Sequence, residues 1–256
     1  MPDVPADRWP YELIDLSRPL CLDSVHALFG DLVADGQNPY FTDFALEVAS
    51  SHERDTAYSC VVRVPEHMGT HMDAPVHTVP GGAFLQDVDL RRLIGEAVVL
   101  DLDRGGAEHG YTAAEVAEAA ARVEGGGIRP GDIVLIHSGY RDASLGTEMR
   151  QTWLTGEAAQ WLVDAGAVCV GFEPATPDPF RLGVFEYGWT QKDGPNQPAW
   201  PAHRALLGNG VLIIEGLVNL DRIRGRRVRF SALPPSIPGG SGFPVRAVAW
   251  LDAPRG

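Results

Sequence analysis

Eight short runs rich in Val, Ile and Leu recur along this 256-residue chain, and three of them follow a helix signal within a few residues. The runs cover 11–16, 59–64, 97–102, 132–137, 168–172, 211–215, 228–231 and 245–250. Their length and β-branched content suit strands, and their continuous apolar character suits strands covered on both faces. The helix signals are equally local. Thr112 can cap a helix over 113–123, with Glu115 completing a T-x-x-E capping box and Gly125, Gly126 and Gly127 ending it. A second helix is predicted over 155–165 with Gly166 at its C-terminal end, and a third from about Pro201, a good first helical residue, to Gly208. Alternating elements of this kind predict a mixed α/β architecture. No repeat and no Pro/Ser-rich linker divides the chain, so residues 1–256 are read as a single domain, one mixed sheet with flanking helices. Two stretches, 22–57 and 174–198, fit neither pattern and are predicted to be long functional loops.

Composition removes several classes of function. Hydrophobic residues make up 45% and charged residues 21% of the chain, which excludes disorder as a whole-chain description. Acidic residues outnumber basic ones by 34 to 21, giving a formal charge of −13 that repels phosphate backbones and anionic lipid. Neither nucleic acid nor a membrane surface is therefore expected as a partner. No window approaches the roughly 20 apolar residues that cross a bilayer. The first ten residues carry Asp3, Asp7 and prolines in place of a signal peptide's apolar core. Cys21, Cys60 and Cys169 form neither a CxxC pair nor an even disulfide set, which fits a reducing compartment, and a cytoplasmic location is expected. Lys192, the only lysine, lies in a polar stretch and reads as solvated, so Schiff-base chemistry has little support.

The chemistry concentrates in residues 67–77, where His67, His71, Asp73 and His77 fall within eleven positions. His67 and His71 could share a helix face, but Gly69 and Pro75 oppose a helix here. An extended segment is the better prediction, because all four positions are odd-numbered and alternate side chains of an extended chain point the same way. Neutral imidazoles and a carboxylate are ligands for Zn or a similar divalent cation. Rival chemistries are weak. Gly239-Gly240-Ser241-Gly242-Phe243 lacks the last glycine of G-x-S-x-G, no G-x-G-x-x-G or P-loop occurs, and Cys169 ends a buried-looking run.

These residues match the H-x-G-T-H-x-D-x-P-x-H signature of the cyclase-like metal-dependent hydrolases, a family that includes bacterial kynurenine formamidase, isatin hydrolase and cyclases of aromatic polyketides. All seven specified positions agree. The resemblance covers most of the chain: Leu13-Ile14-Asp15-Leu16-Ser17 is similar to the family's opening strand and Gly131-Asp132-Ile133-Val134-Leu135 to a central one. Residues 171–179 resemble its G-[IV]-D-x-P-S-x-D-P loop, and Pro244-Val245-Arg246-Ala247 its closing P-[VI]-R strand. It implies the family's swivelling β/α fold and a second metal-binding segment, a His followed twelve residues later by a Glu, which His203 and Glu215 match. It further implies that His67, His71 and Asp73 hold one divalent ion, Zn or Mn, that Asp73 and Glu215 bridge to a second held also by His203, and that His77 transfers protons. The implied reaction is attack of metal-bound hydroxide on a small aromatic N-formyl or cyclic amide. Ring closure of a polyketide type at the same metal site, or metal and ligand binding without turnover, are the alternatives. A homodimer or homotetramer is expected.

Three departures accompany the match. Ile14 stands where kynurenine formamidases place a substrate-facing Trp, the 171–179 loop reads Glu173-Pro174-Ala175-Thr176 in place of Asp-x-Pro-Ser, and residues 24–57 are longer than in the compact formamidases. Phe41, Phe44, Trp189 and Trp200 lie in or beside the irregular stretches, where they could wall an aromatic substrate or cover a neighbouring subunit; Phe41, Trp189 and Trp200 are the candidates for substrate binding. No role is assigned to His26, His52, His109 or His137.

Overall fold

The structure is a computed structural model that describes residues 11–21, 44–105, 107–140, 152–179 and 200–252. Its strands are β1 (Tyr11–Asp15), β2 (Ala45–Ser50), β3 (Ser59–Arg63), β4 (His71–Asp73), β5 (Ile94–Asp101), β6 (His109–Tyr111), β7 (Ile133–His137), β8 (Thr152–Leu154), β9 (Cys169–Phe172), β10 (Leu212–Glu215), β11 (Arg227–Ser231), β12 (Gly242–Pro244) and β13 (Val248–Asp252). The helices are α1 (His52–Asp55), α2 (Ala113–Ala121), α3 (Gly156–Asp164) and α4 (Pro201–Gly208). Among the described residues nine strands form one mixed sheet in the order β1-β13-β11-β5-β7-β9-β10-β4-β12.

The middle of that sheet is parallel, β5-β7-β9-β10. Side chains alternate across it. Val98, Leu100, Val134, Ile136, Val170, Phe172 and Ile213 face one side, packed on Val116, Ala119, Ala158, Leu162, Ala202 and Leu206 of α2, α3 and α4. Val99, Ile133, Leu135, Cys169, Leu212 and Ile214 face the other. Burial on both faces is the reason these strands read as unbroken apolar runs. The second face is covered by the sheet itself: Ile14 of β1, Phe230 of β11, Ala249 of β13 and Met72 of β4, from both ends of the strand order, share its core. A bridge from Ser17 to Leu217 ties the end of β1 to the loop after β10, so the sheet curls over its own core.

The helix starts follow their sequence signals. Thr112 accepts from Glu115 N and the Glu115 carboxylate reaches back to Thr112 N, a complete capping box on α2. Thr155 Oγ1 caps α3 through Ala158 N. No helix among the described residues is long and apolar enough to cross a membrane.

Three expectations need correction. Residues 22–57 are not one loop: their last part forms β2 and α1, and β2 pairs with β3 as a separate ribbon outside the main sheet. That ribbon leaves Leu46, Val48, Val61 and Val62 more than half exposed, so the 59–64 run is a strand without being a core strand. The 245–250 run becomes a strand only at Val248. Val245 N is spent on Thr70 O and Arg246 turns outward to pair with Asp15, while Pro244 has no N–H to extend a ladder. A small parallel pair, β6 with β8, lies outside every run singled out in the sequence.

Candidate metal centre

β4 is only three residues long, but it lies between two partners. Asp73 is in register with Ile213 of β10 and Gly242 of β12, and His71 with Glu215 and Pro244. That pairing sets His71 beside Glu215 across a strand boundary. The extended prediction for 67–77 therefore holds for His71–Asp73 and fails on either side. Before the strand, Gly69 sits at φ +65°, a left-handed conformation that suits glycine. The turn is pinned by Thr70 Oγ1, which donates to Gly216 O at 2.7 Å and accepts from Arg18 N at 2.9 Å. Gly216 has no alternative here, since a Cβ on it would meet Gly69 O at 2.6 Å. After the strand, Pro75 opens a 3-10 turn over Pro75–His77, for which its fixed φ is suited. The two bends bring His67 and His77 together, ring centroids 3.9 Å apart.

Five of the six residues expected to form the site are buried, and all six converge. His67 Nδ1 is 2.7 Å from Asp73 Oδ1. His71 Nε2 is 3.5 Å from Asp73 Oδ1 and 3.2 Å from Glu215 Oε2. From the helix side, α4 brings His203 Nε2 to 3.3 Å from Asp73 Oδ2 and 3.2 Å from Glu215 Oε1. His77, half-buried, offers a ring nitrogen close to His67 and Asp73.

The proton arrangement on two of the imidazoles follows from their outer neighbours. His71 Nδ1 faces Gly69 O at 3.0 Å, and a carbonyl only accepts, so Nδ1 carries a proton and Nε2 is the nitrogen that points inward. His203 Nδ1 faces Asp178 Oδ2 at 2.6 Å, so its Nε2 is likewise turned inward. Asp178 also accepts from the backbone N–H groups of Ala202 at 2.7 Å and His203 at 3.0 Å. It thereby caps the start of α4, whose N-cap residue Trp200 supplies no side-chain bond. Asp178 was missed in the sequence; its signal was the Asp-Pro that closes the 171–179 loop.

Electrostatics explain why the cluster seeks positive charge. Burial alone would lower the His71 imidazole, but Glu215 and Asp73 outweigh it and lift His71 to about 9. Burial likewise opposes charge on His203, yet Asp178, Asp73 and Glu215 raise it well above the usual histidine range. Burial would raise Asp73, and the surrounding histidines, His67 first, pull it well below the ordinary carboxylate range. His77 goes the other way: burial, together with repulsion from His67, His203 and His71, brings it down to about 3 against the pull of Asp73. Its imidazole is held neutral.

A divalent cation fits this set. His71 Nε2, Asp73 Oδ2 and Glu215 Oε1 are buried and make no hydrogen bond, although each lies 3.2–3.5 Å from another polar atom. Stranded buried polar atoms cost about 1–3 kcal/mol each, and inward lone pairs from imidazole and carboxylate are what a cation takes. His71, Asp73 and Glu215 form one grouping with ligand geometry, and His67, Asp73 and His77 another, with Asp73 common to both.

Of the aromatic candidates, Trp200 stands at the site, its ring 5.6 Å from His77 and 5.0 Å from His203. It holds φ +61°, an uncommon conformation for a bulky residue. Phe41 and Trp189 lie outside the described residues. Ile14 is buried in the core. Two histidines given no role have structural ones: His137 Nδ1 pairs with Asp101 Oδ1 at 2.9 Å and His109 Nε2 with Glu115 at 2.9 Å. Glu173, in the place of the usual Asp, is buried and accepts from Ser138 N and Oγ, and burial raises its carboxyl despite the nearby His137. Cys169 is buried in the core with its thiol pushed up, a poor nucleophile.

The Cyclase family model matches residues 14–179, so the chain belongs to that family. The particular relatives are hydrolases. The chain is 31% identical over 198 residues to a kynurenine formamidase from Salinibacter ruber, covering 75% of this chain and 79% of the relative. It is 27% identical over 199 residues to an isatin hydrolase from Roseibium aggregatum, covering 72% and 71%. In fold it is similar to an isatin hydrolase solved with the product analogue thioisatinate, with a TM-score of 0.75, 22% identity and coverage of 95% and 93%. Family and relatives define the class as a metal-dependent amidohydrolase.

Proposed function

We propose that this protein hydrolyses a small aromatic amide, either an N-formyl arylamine or a lactam fused to an aromatic ring, with one or two Zn or Mn ions at the site. The observation that carries the proposal is the convergence of His67, His71, Asp73, His203 and Glu215 on one buried point, with His77 and Trp200 beside it. When bound, a divalent cation supplies a Lewis acid for the amide carbonyl and a means of ionising water near pH 7. His67, His71, Asp73, His203 and Glu215 would hold it. His77 is the residue free to move a proton: its neutral imidazole can accept from attacking water and return the proton to the leaving nitrogen. Trp200 offers a flat face for an aromatic ring next to both His77 and His203. The relatives named kynurenine formamidase and isatin hydrolase support an aromatic amide as substrate.

Ring closure of a polyketone remains the second reading, because Ile14 puts no aromatic from β1 into the site and so removes one feature of the formamidases. A panel of aryl formamides, isatin-like lactams and an aromatic polyketone, read by product mass, separates the two. Gain of one water on an amide supports hydrolysis. Ring closure with unchanged amides overturns it. A cytoplasmic homodimer or homotetramer belongs to the same proposal; Cys21, Cys60 and Cys169, none of them in a disulfide, support the compartment, and the exposed Leu46, Val48, Val61 and Val62 support association. Sedimentation at several concentrations tests the assembly, and a monomer throughout would reject it.

A further inference from the structure

Ser241, noted in the sequence only as the centre of a failed G-x-S-x-G, lies behind the metal centre. Its Oγ is 2.9 Å from His67 Nε2 and 2.5 Å from Glu66 Oε2, and its N–H lies 3.2 Å from the same Glu66 oxygen. The loop carrying it is fixed on both sides, since Ser241 O accepts from Ala74 N and Gly240 O from Leu85 N. Gly242, the next residue, must be bare: a Cβ there would meet Met72 O at 2.5 Å and His67 Cε1 at 2.7 Å. The His67 ring thus lies directly against β12.

The protons in this chain can be placed by elimination. A carboxylate only accepts, so Glu66 takes both the N–H and the O–H of Ser241. The single hydroxyl proton is then spent, and Ser241 Oγ can only accept from His67, whose Nε2 carries the hydrogen. Nδ1, turned the other way, faces Asp73 Oδ1 at 2.7 Å: it donates there while the ring is protonated, and it is the nitrogen that gives up its proton when a cation binds.

We propose that Glu66 and Ser241 act as a positioning relay that fixes His67 in its Nε2–H form and commits it to bind the metal through Nδ1, the opposite nitrogen from the one His71 and His203 present. This rests on the metal-centre reading above. Orienting partners of metal-bound histidines typically contribute 10–100-fold in affinity. Ser241→Ala removes the acceptor. Glu66→Gln is subtler: its amide can donate to Ser241 Oγ, freeing the hydroxyl proton to turn toward His67 Nε2 and favour the wrong tautomer. Ser241→Thr keeps the hydroxyl.

The test uses the full zinc-loaded chain with 13C,15N-labelled histidine. The imidazole shifts of His67, assigned by comparison with His67→Gln, should report Nδ1 coordination with a protonated Nε2, while His71 and His203 report Nε2 coordination. Zinc affinity, measured by competition with a chelating dye, should fall about 10–100-fold in Ser241→Ala and Glu66→Gln and recover in Ser241→Thr, with the fold intact by circular dichroism. Coordination of His67 through Nε2, or affinities within twofold of wild type in both Ser241→Ala and Glu66→Gln, would overturn the relay. Its failure is separable from failure of the function: amide hydrolysis with His67 bound through Nε2 rejects only the relay. Nδ1 coordination without turnover of any amide upholds the relay and rejects only the function.

Discussion

Asp178→Asn should destabilise the fold by an amount that can be worked from three hydrogen bonds. The carboxylate is buried and receives Ala202 N at 2.7 Å on one oxygen, and His203 N at 3.0 Å and His203 Nδ1 at 2.6 Å on the other. Asparagine keeps one oxygen. If that oxygen stays with His203, the amide NH2 confronts Ala202 N–H, donor against donor, and one bond to a charged group is lost. Such a bond contributes about 1.5–3 kcal/mol and a stranded buried N–H costs about 1–3 kcal/mol, so with partial relaxation the expected loss is about 2–4 kcal/mol. Asp178→Ala, which strands all three donors, should lose about 3–5 kcal/mol, the range for breaking a buried ionic contact. The assay is urea unfolding of the chelator-treated protein, where the midpoint should fall while the slope stays constant. A loss under about 0.5 kcal/mol for Asp178→Ala, the scale of an ordinary surface substitution, would refute the assignment of Asp178 as cap of α4 and anchor of His203.

Other consequences follow from the same geometry. His77→Asn should lower turnover by about 100-fold or more with metal content unchanged, the usual scale for proton transfer; loss of metal along with turnover would make His77 a ligand. Gly242→Ala should weaken both stability and metal binding, since its Cβ would be forced onto Met72 O and the His67 ring, and a variant with wild-type zinc affinity would contradict the packing. Glu115 gives the pH dependence. Burial opposes its charge, but Thr112 and His109 hydrogen-bond the carboxylate and lower it from 4.5 to about 2. A depressed carboxylate stabilises the fold above its unfolded value and loses that contribution as pH falls through the folded one. Glu115→Gln should therefore cost about 1 kcal/mol near neutral pH, a typical cap contribution, and progressively less as pH falls from 4.5 toward 2. A constant difference across that range would count against the capping box as the cause.

The sequence was most informative where one short-range rule decided the structure. The capping box of α2 was visible because its donors and acceptors lie within a turn of each other, and the start of α4 because Pro201 presets the backbone at the first helical position. The doubly buried strands β5, β7, β9 and β10 were visible because burial on both faces leaves an apolar run. The ligand types in 67–77 were visible too, but their geometry was not. Strict alternation placed all four side chains on one face, whereas only His71–Asp73 is a strand. The convergence of His67 and His77 depends on Gly69 and Pro75 bending the chain at either end, and on Gly216 lying against Gly69 from a strand far away in sequence. Asp178, Glu66 and Ser241 were not legible as partners of histidines, because each contact joins segments that only the sheet order brings together. β3 was legible as a strand within the 59–64 run, but its partner β2 was not. The apolar residues of β2 alternate weakly and face outward, so neither burial nor period marked it as a paired strand.

The central claim is that amide hydrolysis here depends on a divalent ion held around Asp73. The direct measurement is the rate of aryl-formamide hydrolysis by chelator-stripped protein as Zn or Mn is added back, in wild type and in Asp73→Ala. The account predicts that stripped wild type is inactive, that activity returns and saturates at about one or two equivalents of metal per chain, and that Asp73→Ala recovers none. Full turnover by the stripped protein, or recovery in Asp73→Ala equal to that of wild type, would contradict it.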